Sequence, residues 1–237
     1  MESGRRNTHK YSFKDAYLEE LRKLVTLMTN VENTGKRHGR LLYILSTRVE
    51  VGLLNTLVQF YDPVYRCFTF PDYQLVPTLE EYAHLVGIHV SNKIRFCGLE
   101  EISKLQVIAS ALHLKKSDID NNFITKECIR GIIVEFLIKK ATYFASAGSM
   151  TAFEDILALL IYGMVLFPNI DNFVDVNVIR IFLLGNPVPT PLGDIYHSIH
   201  FRTDKHKGTI VCCALLLYRW FISHLRHTPA FGTTKGV

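Results

Sequence analysis

The chain has 237 residues with a formal net charge of +5, and 48% of its residues are hydrophobic and 21% charged. This is the composition of a globular protein with its own core, and it excludes an intrinsically disordered chain. The 14 Gly and 8 Pro exclude a collagen-like or low-complexity chain.

Apolar spacing in the first part of the chain predicts two helices. Apolar residues recur three and four positions apart over 13–31 and again over 40–60, which is the pattern of one buried helical face. Alternating aromatic residues over 65–70 then predict a strand that pairs with 73–76. The sequence therefore predicts one small β-hairpin near residues 65–76.

A capping box follows the hairpin. In Thr78-Leu79-Glu80-Glu81, the Thr78 hydroxyl can accept from the third helical amide while the Glu81 side chain reaches back. These residues predict the start of a short helix, 79–86, which Gly87 ends.

The rest of the chain reads as helices separated by Gly and Pro. Thr151-Ala152-Phe153-Glu154 predicts a second capping box, and Thr190-Pro191 predicts an N-cap followed by proline at the first helical position. Gly185 and Pro168 are predicted stops. The predicted helices are 99–113, 126–146, 152–167, 174–184, 191–203 and 209–226.

Together these elements predict a mainly α fold, in which a single helical domain carries one small β-hairpin. The predicted boundaries are a basic N-terminal segment with a helix over 1–38, the helical domain over 39–227 and a polar tail over 228–237. The 209–226 helix is apolar nearly all round, so it calls for burial on more than one side. An uncovered side would promote self-association.

Positive charge is concentrated at both ends of the chain. Residues 1–40 carry a net charge of +4, residues 200–237 carry +5, and the middle is therefore acidic. This distribution predicts weak, sequence-indifferent contact with nucleic-acid phosphates, and the alternative is that both ends are simply solvated. The candidate contact residues are Arg5, Arg6, Lys10, Lys36, Arg37, Arg40, Arg202, Lys205 and Lys207.

Several features bear on location. The uncharged stretch between Asp155 and Asp171 is shorter than the roughly 20 apolar residues that a membrane-spanning helix needs, so it predicts a buried helix and no membrane partner. The polar N-terminus shows no secretory signal. The five Cys lack framework spacing, which favours reduced thiols. We therefore expect an intracellular protein, nuclear or cytoplasmic.

Two histidine pairs raise the question of a metal site. His197 and His200 are three residues apart, as are His224 and His227, and adjacent thiols at 212 and 213 could join them. Neither pair forms an H-E-x-x-H motif, and both lie in basic stretches that repel a cation. The sequence favours solvated or half-buried histidines, and it assigns no metal, cofactor or catalytic residue.

An aromatic cluster surrounds the predicted hairpin. Its members could stack nucleic-acid bases, but a hairpin core packed on helices is the favoured reading. In that core Phe68, Phe70, Leu79, Tyr82 and Leu85 point inward. The cluster comprises Phe60, Tyr61, Tyr65, Phe68, Phe70 and Tyr73.

Four stretches resemble the plant mobile domain, also called the aminotransferase-like plant mobile domain, and most closely its legume branch. Tyr61 stands where the family usually has Trp, and Pro191 and Gly193 depart from its usual pattern. The resemblance covers roughly residues 40–227. It implies a mostly helical fold, a plant source, a link to transposable elements and roles in nuclear gene silencing or genome maintenance. The stretches are QFYDPVYRCFTFPDYQLVPTLEEYAHLVG (59–87), LALLIYGMVLFPNIDNFVD (157–175), NPVPTPLGDIYHSIHFR (186–202) and GTIVCCALLLYRWFISHL (208–225).

The resemblance supplies no catalytic residues. A pyridoxal-phosphate aminotransferase needs an α/β scaffold, a phosphate cup and a Schiff-base lysine, and the sequence shows neither alternating βα units nor a Gly-rich phosphate loop. The expectation is therefore a non-enzymatic module with protein partners and weak nucleic-acid binding. The alternative is a transferase or nuclease-like enzyme with an unidentified active site.

Overall fold

The computed structural model describes residues 11–14, 18–28, 35, 37–88, 104–205 and 208–225. The prediction of a mainly α fold is confirmed, because eleven helices occupy most of these ranges. They are α1 (Leu18–Val25), α2 (Leu41–Leu45), α3 (Val51–Gln59), α4 (Leu79–Val86), α5 (Leu105–Ala111), α6 (Lys116–Asn122), α7 (Val134–Ser146), α8 (Met150–Ile161), α9 (Val176–Leu184), α10 (Pro189–Asp204) and α11 (Ala214–Leu225).

Three small sheets accompany the helices, which is more β-structure than the single hairpin predicted. In the first, Cys67–Thr69 pairs antiparallel with Gln74–Leu75 inside the range 65–76, and Tyr61–Asp62 adds a third strand. A second sheet has the order β5-β6-β7, and a third pairs β1 with β8 in parallel. The strands are β1 (Tyr11–Phe13), β2 (Tyr61–Asp62), β3 (Cys67–Thr69), β4 (Gln74–Leu75), β5 (Phe123–Lys126), β6 (Ile129–Ile133), β7 (Phe173–Asp175) and β8 (Gly208–Ile210).

The helix predicted over 126–146 is wrong in its first part. Strands β5 and β6 form an antiparallel hairpin there, and the helix begins only at Val134. Both turn residues, Glu127 and Cys128, have positive φ angles of 52° and 65°. Such a turn usually carries Asn or Gly, whose absence left the sequence without its strongest hairpin signal.

The predicted helix ends have mixed outcomes. The Thr78 capping box is confirmed, with both reciprocal hydrogen bonds present, and Gly87 and Gly185 are confirmed as left-handed stops. The second box is wrong, because α8 begins at Met150 and the buried Glu154 pairs with an arginine.

Helix α10 also begins earlier than the sequence predicts. Its first residue is Pro189 and its N-cap is Val188, so Thr190 lies inside the helix and is not its N-cap. The prediction that Pro191 is the first helical residue is therefore wrong, and a different proline, Pro189, occupies that position.

The core is organised around α8 and its continuation. A π-helical turn, Tyr162–Leu166, extends α8, and every residue from 152 to 168 is buried. The prediction of a buried helix after Asp155 is therefore confirmed. Helices α1 and α7 both pack on α8. No helix within the described ranges has the length and apolar character needed to cross a bilayer.

Residues on both sides of the predicted boundary at 38/39 share one core. Tyr11, Phe13, Leu21 and Leu24 are buried in the same cluster as the apolar residues of α8. Strand β1 pairs with β8, so residues 11–13 are fixed to residues 208–210. The boundary itself stays a prediction.

Helix α11 is covered within the described chain. Six of its residues are buried, and none of its apolar side chains is among the exposed large hydrophobic residues. It packs against α4 and α2. Earlier helices therefore provide the burial of α11 that its apolar sequence predicted. Self-association stays a prediction, and α11 gives it no support.

Two glycines give opposite predictions for alanine. A Cβ on Gly163 would lie 2.6 Å from Cγ2 of Val174, so Gly163→Ala should lower the free energy of unfolding by about 1–3 kcal/mol through overpacking. A Cβ on the exposed helical Gly193 would meet no atom within 4 Å, so Gly193→Ala should raise it by about 0.5–1 kcal/mol. Urea denaturation of both variants measures the two signs. Equal effects would show that Val174 does not pack tightly on the π-helical turn.

Candidate nucleic-acid interface

The structure describes four of the nine predicted contact residues: Arg37, Arg40, Arg202 and Lys205. The other five, Arg5, Arg6, Lys10, Lys36 and Lys207, lie outside the described residues, and their role stays a prediction.

Arg37 is partly exposed and is paired with two buried carboxylates. Its Nη2 lies 2.7 and 2.8 Å from the two carboxylate oxygens of Asp155, and its Nη1 lies 3.5 Å from Glu154 Oε2. Both carboxylates are buried, so they neutralise the guanidinium at close range. This arrangement disfavours the predicted contact of Arg37 with phosphate.

Arg40 is exposed at a point where its own turn lies close to the end of α4. Its backbone N–H donates to Val86 O at 2.6 Å, and its Nη1 lies 3.4 Å from His84 O. It lines a cleft of about 600 Å³ that Glu80 also lines. The nearby carboxylate weakens the attraction of this cleft for a phosphate.

Helix α10 presents the best-formed basic surface. His197, Phe201 and Lys205 are spaced by four residues, so they follow one another along one face of the helix, and all three are exposed. The Phe201 side chain is 42% exposed. Its ring stacks parallel to the His197 ring, with the centroids 6.1 Å apart, and Lys205 Nζ lies 3.9 Å from its centroid.

Arg202 joins this surface from the neighbouring position. Its guanidinium carbon lies 5.2 Å from the Phe201 ring centroid. Its side chain also lies over Gly208, where a Cβ would sit only 3.1 Å from Nη1. We call His197, Phe201, Arg202 and Lys205 the aromatic–basic stripe.

The stripe can bind a base and its phosphate together. An exposed cation–π contact such as that of Lys205 with Phe201 contributes about 0.5–1 kcal/mol. Stacking of a base on an aromatic side chain contributes about 1–3 kcal/mol. A base can therefore displace Lys205 from the ring, which frees the ammonium group to contact a phosphate.

The histidine pairs do not converge. His197 lies in the stripe, whereas His200 packs edge-on against Tyr61 with centroids 6.5 Å apart. His224 Nε2 lies 3.0 Å from Glu81 Oε1, and His227 lies outside the described residues. Burial raises the pKa of the Cys213 thiol to about 12, which keeps it protonated. In the described part of the chain, no three His, Cys, Asp or Glu side chains are placed to hold a metal ion.

The aromatic cluster at the first sheet is mostly core. Phe68 is buried against Trp220, with ring centroids 5.7 Å apart, and Phe70 stacks on Phe221 at 6.2 Å. Tyr65 is exposed at the turn. Most of this cluster is therefore the core of a hairpin that packs on helices, as the sequence favoured. Tyr65 is the exposed ring of the cluster that could stack on a base.

One polar cluster around Asp155 has no signal in the amino-acid sequence. Asp155 on α8 is 8% exposed and holds residues from two other segments. His38 Nε2 lies 3.0 Å from Oδ1, and His113 Nε2 lies 2.9 Å from Oδ2. His113 has a φ of 56°, a left-handed conformation that turns the chain after α5.

Each carboxylate oxygen of Asp155 has two close contacts, one with Arg37 and one with a histidine. Burial raises its pKa, but the hydrogen bonds from His38, Arg37 and His113 outweigh burial and lower it. The carboxylate therefore stays ionised. Because its acceptor sites are occupied by protein groups, the cluster is built as a junction between segments.

Most of the chain matches one protein family. Residues 18–236 match the family described as Domain of unknown function (DUF7745). No curated protein and no solved structure matches the chain. The match does not test the resemblance to the plant mobile domain, which stays a prediction. Because the match spans nearly the whole sequence, the chain belongs to the DUF7745 family.

Proposed function

We propose that this chain is a non-enzymatic module that binds single-stranded nucleic acid through the aromatic–basic stripe of α10. The observation that carries the proposal is the exposed Phe201 ring held between His197 and Lys205 on one helix face. Proteins that bind single strands combine such stacking platforms with basic side chains that follow the backbone.

The wider setting of the proposal comes from the resemblance to the plant mobile domain. We place the module in the nucleus, in a protein related to transposable elements and linked to gene silencing or genome maintenance, with further protein partners. The proposed unit is one helical domain, and the single core cluster supports that view.

The test is binding of fluorescent oligothymidine, followed by anisotropy at 50 mM and 200 mM salt. Phe201→Ala should weaken binding about 5- to 150-fold, since it removes about 1–3 kcal/mol of stacking. Lys205→Gln should weaken binding and reduce its salt dependence, because one phosphate contact is lost.

Tyr143→Ala is the matched control, because Tyr143 is an aromatic residue on another helix and is 64% exposed. It should bind like the wild type. Salt-insensitive binding, or equal losses in Phe201→Ala and Tyr143→Ala, would rule out the stripe as the binding surface.

The alternative is an enzyme. The geometry of His113 is the observation that favours it. Its side chain is 44% exposed and its Nε2 is fixed by Asp155, so Nδ1 is the nitrogen that remains to exchange a proton. Hydrolysis of a labelled oligonucleotide by the wild type, abolished in His113→Gln, would support a nuclease over a binding module.

A further inference from the structure

A small cavity of about 280 Å³ lies where α1, α3 and α11 begin. Its lining combines apolar and basic side chains. The apolar part includes Phe13, Leu54 and Leu215, and the basic part comprises Lys14, Arg22 and Arg48. We call this space the amphipathic cavity.

The floor of the amphipathic cavity is part of the protein core. Leu54, Leu215 and Phe13 are all buried members of the main hydrophobic cluster. The apolar surface open to a ligand is therefore that of the less buried lining residues Leu18, Val49 and Val51. A ligand that lies on them must itself be apolar there, because burying polar groups against apolar side chains is costly.

Arg22 is held in place at the rim. Its Nε and Nη2 donate to Leu45 O at 3.3 and 3.2 Å, and Nη2 also lies 3.4 Å from Thr47 O. These acceptors are neutral carbonyls, so they orient the guanidinium without cancelling its charge. Nη1 has no partner among the described residues and can donate to a ligand.

Arg48 supplies a second charge that no described carboxylate neutralises. It is exposed, and it forms no ion pair with any residue in the described ranges. Lys14 contributes less, because its ammonium group lies 2.8 Å from Asp171 Oδ1. No Asp or Glu is among the described residues that line the cavity, so the described lining has a net positive charge, although Glu50 lies between the lining residues Val49 and Val51.

We propose that the amphipathic cavity binds a small organic anion with an apolar body, such as a medium-chain carboxylate. The anionic head contacts Arg22 and Arg48, and the apolar body covers Leu18, Val49 and Val51. The volume lies just below the usual range of ligand pockets, about 300–1,000 Å³, which restricts the ligand to a small molecule.

The test compares three probes that share one apolar chain: octanoate, octanol and octylamine. Isothermal titration of the full chain should show saturable one-to-one binding of octanoate. Octanol should bind at least tenfold more weakly, because it lacks the charge, and octylamine should show no binding. Acetate should also show none, because it leaves the apolar lining residues uncovered.

Variants locate the site without removing core groups. Arg48→Gln changes an exposed residue that makes no ion pair with the described residues, and it should weaken octanoate binding at least fivefold. Val51→Trp places a large ring at the exposed mouth of the cavity and should block binding. Arg130→Gln, an exposed arginine on β6, is the matched control and should bind octanoate as the wild type does.

Three results would overturn the proposal. They are an absence of saturable octanoate binding to the wild type, equal affinity for octanol and octanoate, and unchanged octanoate binding in both Arg48→Gln and Val51→Trp. Thermal melts of each variant confirm that it is folded before titration.

Discussion

Replacing Asp155 by asparagine is expected to lower the free energy of unfolding by about 3 kcal/mol. The carboxylate is 8% exposed and accepts from Arg37, His38 and His113, so its loss breaks a junction of three chain segments. The value is at the lower end for a buried pair, because Arg37 is 39% exposed and water can partly solvate it after the change.

The loss should depend on pH in a defined direction. Hydrogen bonds lower the pKa of Asp155 in the folded state, so the carboxylate stabilises the protein above its unfolded pKa of about 4. This stability is lost as the pH falls through the folded-state pKa. In urea denaturation, the difference between wild type and Asp155→Asn should therefore shrink as the pH falls below about 4.

Glu135→Gln is the control for this experiment. Glu135 forms an ion pair with Lys139 at 2.7 Å, but both side chains are largely exposed. Its removal should leave the unfolding midpoint unchanged within error. An equally small effect for Asp155→Asn would contradict the junction that we describe.

Trp220→Ala is expected to lower the free energy of unfolding by about 3–5 kcal/mol, the usual cost of deleting a large core aromatic residue. Trp220 is fully buried on α11, packs against Phe68 and donates from Nε1 to Glu81 Oε2 at 3.0 Å. The change leaves a cavity and removes one donor to the Glu81 carboxylate of the capping box.

Trp220→Phe separates these two effects. It retains an aromatic ring but no indole N–H, so its cost should be well below that of Trp220→Ala and should reflect mainly the lost hydrogen bond. Thermal unfolding of both variants, read by circular dichroism, measures the difference. If Trp220→Ala melts at the wild-type temperature, α11 is not a core helix.

Local signals in the sequence predicted some of the local features of this fold and missed others. The capping box at Thr78 and Glu81 spans four residues, and all the groups that form it are visible in the sequence. The stop at Gly185 likewise needs only one residue with a positive φ. The β5–β6 hairpin was missed because its turn, Glu127-Cys128, adopts left-handed angles with residue types that seldom do so.

Candidate sites depended on long-range placement, which spacing does not encode. Arg37 and Asp155 are 118 positions apart, so the sequence could not show that the arginine predicted to contact phosphate instead binds a buried carboxylate. The aromatic–basic stripe was partly visible, since Phe201 lies four residues after His197 in a predicted helix. The exposure of the stripe was not visible in the sequence, because exposure depends on which face of α10 the rest of the chain covers.

The parallel pairing of β1 with β8 has a consequence for how the chain folds. Ser12 and Thr209 share a hydrogen bond although they are 197 positions apart, and loop closure over such a distance costs much conformational entropy. On a ribosome, β1 leaves the exit tunnel long before β8 has been synthesised. The pairing of these two strands is therefore a late step, and chain segments with such distant partners fold slowly. Until β8 is available, Tyr11 and Phe13 lack the strand that pairs with β1. Their apolar side chains can then associate with other chains, which favours aggregation.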